Sequence, residues 1–366
     1  MAQTMKAVVF KGPKRIAVEE RPIPQIQESD DVICKVDYAG LCGSELHVYR
    51  GVEKKDVTGF IMGHEFVGTV VEVGSAVTSA KVGDKVVAPF TISCGTCFYC
   101  KNGQSSRCDK CKLFGSPVLE GSQAEYVRVP LANGTISKVA EGVPEDMYIL
   151  MADIFPTADA TYSPRRGYFA VSNAIKMLPP SQAPSDATFV ILGLGPVGIC
   201  ALVALMSFNP KQVFVIDSVE SRLELAASLG AQPLNFGSYE GGIDGIKRRI
   251  QDATEGRGAD AVIEIVGSSK ALRFAYDLVR PWGGISSIGV HNAELPFSGA
   301  EMYAKNLKLQ FGRCPVRSVY DEALSLLKNH FEKLRFLTTY HMSLSDAVAA
   351  YEKFDKAEVQ KVIFRF

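Results

Sequence analysis

TFVILGLGPVGICAL, residues 188–202, decides the fold. An apolar run ends on Gly193, and glycines at 193, 195 and 198 lead into a second apolar run. The reading is a buried strand over Phe189–Leu192, a tight turn, and a helix over Val197–Phe208. In that geometry Gly193 allows the turn, Gly195 lets a pyrophosphate approach the backbone, and Gly198 lets helix and strand pack closely. Pro196 and Val197 open a helix whose N-terminus turns partial positive charge toward the phosphates. Asp217 ends the next strand, 19 residues after Gly198. A carboxylate there binds the ribose hydroxyls and repels a 2′-phosphate, which favours NAD over NADP. Arg222, close by in sequence, keeps NADP open. The competing reading is a glycine-rich turn in a non-binding sheet, with Asp217 as a helix cap.

Outward from this turn, strands over Val213–Asp217, Ala261–Val266 and Gly284–Ile288 alternate with helices over Ser221–Leu229 and Lys270–Leu278. Such alternation predicts a doubly wound parallel sheet. Residues 187–210 carry no charge, but the glycines and Pro196 in their middle argue against a membrane helix. The first third reads differently: Ala7–Phe10, Ile16–Glu19, Val32–Val36, Phe66–Val73 and Lys85–Pro89 are short Val-rich runs broken by Gly, Pro and Asp. They predict a barrel-like β unit, making the whole an α/β chain. The final stretch predicts helices over Val319–His330 and Ser345–Phe354, then a strand over Lys361–Phe366.

At 366 residues the chain has room for about two domains. Forty basic and forty acidic side chains leave no net charge to attract nucleic acid or an anionic membrane, so neither is expected as a partner. A hydrophobic content of 47% with 22% charged residues describes a folded protein. The opening MAQTMKAVVF lacks the form of a signal peptide.

Five of the nine cysteines fall within residues 94–111, which argues for metal binding in a reducing, cytoplasmic compartment rather than for a disulfide framework. Cys94, Cys97, Cys100 and Cys108 can close a tetrahedron around zinc with no open position, a structural site. Lys101, Arg107 and Lys110 offset its negative charge, and Cys111 is a spare thiol. Ligand type alone also admits an iron–sulfur cluster. A second group is dispersed: Cys42, then His64-Glu65, then Asp153. One Cys, one His and one Asp can bind a zinc and leave a fourth position free, but spacing alone does not bring these three together.

Together these pieces resemble the zinc-dependent alcohol dehydrogenases of the medium-chain dehydrogenase/reductase family, over nearly the whole chain. The resemblance implies a GroES-like β-barrel catalytic domain at 1–156 with the structural-zinc lobe at 94–111. It implies a Rossmann domain at 157–313 and a C-terminal return to the catalytic domain at 314–366. It assigns the catalytic zinc to Cys42, His64 and Asp153, with Glu65 beside the metal, and the stretch Ala152–Thr157 looks like the formaldehyde-dehydrogenase-like subgroup with Asp as third ligand. Ser44 and His47 match the family's proton relay, in which the serine passes the alcohol proton through the ribose to a histidine near solvent. Thr157 is placed near the nicotinamide, Lys361 near the pyrophosphate, and Val290 among the cofactor-binding residues. The implied reaction is hydride transfer between NAD and a small alcohol, aldehyde or ketone, by a homodimer or homotetramer.

Two departures stand out. Glu45 replaces the Asp that usually braces the zinc-binding histidine, and Glu is one methylene longer. A nine-residue insertion, Ala158–Arg166, lies beside the third zinc ligand. The alternative function follows from it: the fold and its zinc without redox activity, because the insertion obstructs the cofactor.

Overall fold

A computed structural model of the chain describes residues 3–53, 56–158 and 169–366. The chain divides into two compact units, Met1–Pro156 with Pro315–Phe366, and Thr157–Cys314.

The first unit opens with an antiparallel hairpin of β1 (Thr4–Gly12) and β2 (Arg15–Pro22). β3 (Val32–Leu41), β4 (Phe66–Val73) and β5 (Lys85–Ala88) follow as antiparallel neighbours. β6 (Tyr126–Val129) adds to β3 and β7 (Ser137–Lys138) to β5. The Val-rich alternation buries one face: Val36, Leu41, Phe66, Val70 and Phe114 are part of one apolar core.

The second unit is a six-stranded, wholly parallel sheet. Its strands are β8 (Thr188–Leu192), β9 (Gln212–Asp217), β10 (Gln232–Asn235), β11 (Ala259–Glu264), β12 (Val279–Ser287) and β13 (Lys308–Phe311). The order β10-β9-β8-β11-β12-β13 reverses direction at β8. That is the doubly wound dinucleotide-binding order, with its ligand crevice at the carboxyl ends of the strands beside the reversal. Every residue of β8 and β11 is buried, as expected of central strands covered on both faces.

The chain then returns to the first unit through the helix Val316–Leu334, β14 (His341–Met342), the helix Ala347–Asp355 and β15 (Val362–Arg365). β15 pairs antiparallel with the end of β3, the segment that leads into Cys42. No helix among the described residues is long and apolar enough to cross a membrane.

Candidate metal centres and dinucleotide site

Cys42 directly follows β3, His64 and Glu65 directly precede β4, and Asp153 follows the buried turn Glu145–Ala152. Gly63 sets the approach of His64: its φ is +100°, and a Cβ there would lie 2.5 Å from the Gln123 amide nitrogen. Folding thus brings Cys42, His64, Glu65 and Asp153 together, with one donor atom from each lying within 4.8 Å of the others. Asp153 Oδ2 is 3.6 Å from Cys42 Sγ and 3.4 Å from His64 Nε2. The edges of a tetrahedron with ordinary zinc–ligand bonds are about 3.6 Å between S and O and about 3.4 Å between N and O. The spacing and the donor chemistry therefore fit zinc.

Burial opposes charge on His64, but the neighbouring Glu45 carboxylate and hydrogen bonding to Asp153 outweigh it and hold the imidazole well above its ordinary range. Glu45 Oε1 lies 3.3 Å from His64 Nδ1, so the longer side chain still faces the histidine it should brace. Ser44 Oγ is 3.5 Å from Cys42 Sγ and 3.4 Å from His64 Nε2. His47 sits half-buried one turn further along the same short helix.

The Glu65 carboxylate is fully buried. Oε1 has no hydrogen-bond partner, and Oε2 accepts from the Lys361 ammonium, which also reaches the Leu41 carbonyl at 3.4 Å. Burial works to lower the Lys361 ammonium, but the Glu65 carboxylate holds it above its ordinary value. This placement differs from the pyrophosphate contact implied for Lys361. The residue precedes the inward-packed β15, and its side chain is only 1% exposed.

Cys94, Cys97, Cys100 and Cys108 also gather with their sulfurs within 4.8 Å of one another, around the short helix Phe98–Lys101. Backbone N–H groups of Cys94 and Lys110 donate to Cys108 Sγ, and those of Thr96 and Cys97 to Cys94 Sγ. Burial works to raise the Cys94 thiol, yet the Thr96 hydroxyl and these N–H groups bring it down to about 6. Preformed N–H donors to sulfur suit a thiolate cage. Cys111 stands outside it, donating to the Ser106 carbonyl.

In the second unit Gly195 caps the helix Pro196–Met206, with Pro196 and Val197 in its first turn. Asp217 Oδ2 accepts from Leu194 N at 2.7 Å, and Oδ1 from Ser218 N and Val219 N. Arg222 Nη1 is 3.8 Å from Asp217 Oδ2. Val290 is exposed beyond β12, and Thr157 is half-buried on the short helix Ile154–Ala158. The inserted residues beyond Ala158 lie outside the described residues.

Sequence reasoning missed two groups. Gln123 and Tyr351 stand behind Glu45. At the strand ends, Ser287 Oγ donates to the fully buried Glu264 Oε2, and His291 Nε2 lies 2.9 Å from the same oxygen. Glu264 Oε1 accepts from the Gly267 amide, tying together the loops that follow β11 and β12. None of these residues lies in a motif.

Residues 28–140 match the alcohol dehydrogenase GroES-like domain, and residues 196–329 match the zinc-binding dehydrogenase family. The chain is similar to zinc-type alcohol dehydrogenase B of Aspergillus flavus, 56% identical over 99% of this chain and 81% of that protein. Among solved structures it resembles the alcohol dehydrogenase of Thermus sp. ATN1, with a TM-score of 0.86, 35% identity and 99% coverage of both chains. It also resembles an alcohol dehydrogenase of E. coli CFT073 solved with NADH, with a TM-score of 0.81, 25% identity and 99% coverage of both chains.

Proposed function

The chain belongs to the zinc-dependent alcohol dehydrogenases of the medium-chain dehydrogenase/reductase family, NAD(P)-dependent oxidoreductases of small alcohols and carbonyl compounds, and from that premise we propose how its residues divide the work. Cys42, His64 and Asp153 would hold the catalytic zinc, with the buried, unpartnered Glu65 Oε1 available beside them as a further donor. Cys94, Cys97, Cys100 and Cys108 hold the structural zinc. The carrying observation is the match of the Cys42–Asp153 and His64–Asp153 spacings, 3.6 and 3.4 Å, to the edges of a zinc tetrahedron.

When bound, the zinc supplies Lewis acidity to an alcohol or carbonyl oxygen, and the dinucleotide supplies the hydride acceptor or donor. The Cys42 thiolate and the Asp153 carboxylate neutralise the dication, and the neutral His64 leaves that balance unchanged. Ser44 Oγ, against two of the metal-binding side chains, takes the alcohol proton and hands it toward His47. The His47 amide donates to the Ser44 carbonyl at 3.1 Å, which sets the two relay residues on one short turn.

The pyrophosphate rests on Gly193, Gly195 and Gly198 with Pro196 and Val197, and Thr157 and Val290 face the nicotinamide. Asp217 selects NAD, and Arg222 beside it is held by that carboxylate rather than offered to a 2′-phosphate. The NADH found with the E. coli relative supports this choice. The active form is a homodimer or homotetramer of the cytoplasm; nine cysteines outside any disulfide suit a reducing compartment.

Metal analysis with NAD titration tests the assignment. The wild-type chain should carry two zinc ions and reduce NAD with an alcohol. Asp153→Ala should keep one zinc and its NAD binding while losing turnover. Loss of both ions, or of neither, contradicts the assignment.

A further inference from the structure

We propose that Tyr351 and Gln123 are positioning residues for the catalytic metal, holding Glu45 in the one pose that orients His64; this rests on the reading of Cys42, His64 and Asp153 as zinc ligands. The four side chains form one line. Tyr351 OH donates to Gln123 Oε1 at 2.8 Å, and Gln123 Nε2 lies 3.2 Å from Glu45 Oε2. Glu45 Oε1 in turn faces His64 Nδ1 at 3.3 Å. Tyr351 and Gln123 are fully buried, and Glu45 and His64 are each 5% exposed, so water does not compete for these contacts.

The chemistry fixes the sense of the chain. Gln123 Nε2 faces two groups that only accept, Glu45 Oε2 and the Gly40 carbonyl at 3.1 Å. Its Oε1 therefore points to Tyr351, and the phenol must donate. Burial and the Glu45 charge hold the Tyr351 phenol well above its ordinary value, which keeps that proton in place. Glu45 Oε2 accepts from Gln123 and, at 2.9 Å, from the Cys42 amide. That leaves Oε1, which has no hydrogen-bond partner, facing His64 Nδ1 at 3.3 Å, where its charge favours the proton on Nδ1 and turns the Nε2 lone pair toward the metal position.

The Gln123 backbone is equally fixed, donating to the Met62 carbonyl and accepting from Val8. The longer Glu45 keeps its bracing role because Gln123 occupies the space behind it. A helix of the C-terminal segment thereby acts on the metal centre through Gln123, 228 residues from Tyr351 in sequence.

The test is competition of the zinc-loaded chain against a chromophoric chelator, which resolves the two ions, with the four-cysteine ion as internal reference. Tyr351→Phe should weaken retention of the catalytic zinc about tenfold and Gln123→Leu about 10–100-fold. The reference ion should be unchanged. In a Glu45→Ala background, Tyr351→Phe should cost nothing further, since its effect runs through Glu45. Equal weakening of both ions, unchanged retention in both single variants, or additive losses in the Glu45→Ala background overturns the inference. A wild-type chain carrying one zinc overturns the ligand reading and the inference with it.

Discussion

Asp217 accepts three backbone N–H groups, from Leu194, Ser218 and Val219, so its carboxylate is preset before a ribose arrives. Only 8% of the residue is exposed, and Arg222 lies 3.8 Å away. Asp217→Ala removes the ribose acceptor and frees the guanidinium together. Hydrogen bonds to a charged group contribute about 1.5–3 kcal/mol each. The KM for NAD should therefore rise about tenfold or more while that for NADP rises less or falls. Steady-state kinetics with both cofactors checks this, and an unchanged NAD-to-NADP ratio counts against Asp217 as the selector. The same scale shows what sequence can carry. Asp217 is legible because a strand end at fixed distance from a glycine turn is a local pattern. Lys361 is not, since its contact with Glu65 spans 296 residues and depends on which way a strand side chain points.

At the scale of elements, the turn from β8 into the helix Pro196–Met206 assigns different tasks to two of its glycines. A Cβ on Gly198 would lie 2.0 Å from the Gly193 carbonyl oxygen, whereas one on Gly195 meets nothing within 4 Å. Gly198→Ala should destabilise the second unit by about 1–3 kcal/mol through overpacking, lowering its unfolding temperature by roughly 2–12 °C. Gly195→Ala should leave that temperature alone and weaken NAD binding, because the methyl stands where the pyrophosphate approaches. Calorimetry and NAD titration on the two variants separate the effects; the same response in both would contradict the division.

Most of this unit was legible, since β8, β9 and β11 are near-continuous apolar runs. β10 was not: Pro233 breaks its strand signal and is tolerated because β10 is an edge strand. The helix Gly242–Asp252 was also missed, beginning as it does after Gly241 with no side-chain cap. In the site, the four-cysteine cage was legible because its ligands share one loop. Cys42 and Asp153, 111 residues apart, were joined by family resemblance and not by spacing. Gln123 and Tyr351 carry no pattern at all, because their role exists only after folding.

Across the whole molecule each unit owns an apolar core and a separate ligand. The first is discontinuous, closed by β15 on β3, and contains both candidate metal-ligand clusters. The second holds the dinucleotide turn on a sheet of its own, with Val190, Phe214, Val262 and Ile285 in its core. A ligand that binds only the folded form stabilises it by RT ln(1 + [L]/Kd), about 2.7 kcal/mol at a hundredfold excess over Kd. NAD should act on the second unit and zinc on the first. Calorimetry should then show two transitions. NAD at a hundred times its Kd should raise one by roughly 5–11 °C, and a chelator should lower the other. Asp153→Ala should reduce the chelator response and leave the NAD response intact, because that residue serves only the metal. A single transition moved by both ligands would mean that the two cores unfold together, and the assignment of one ligand to each would lose its thermodynamic support.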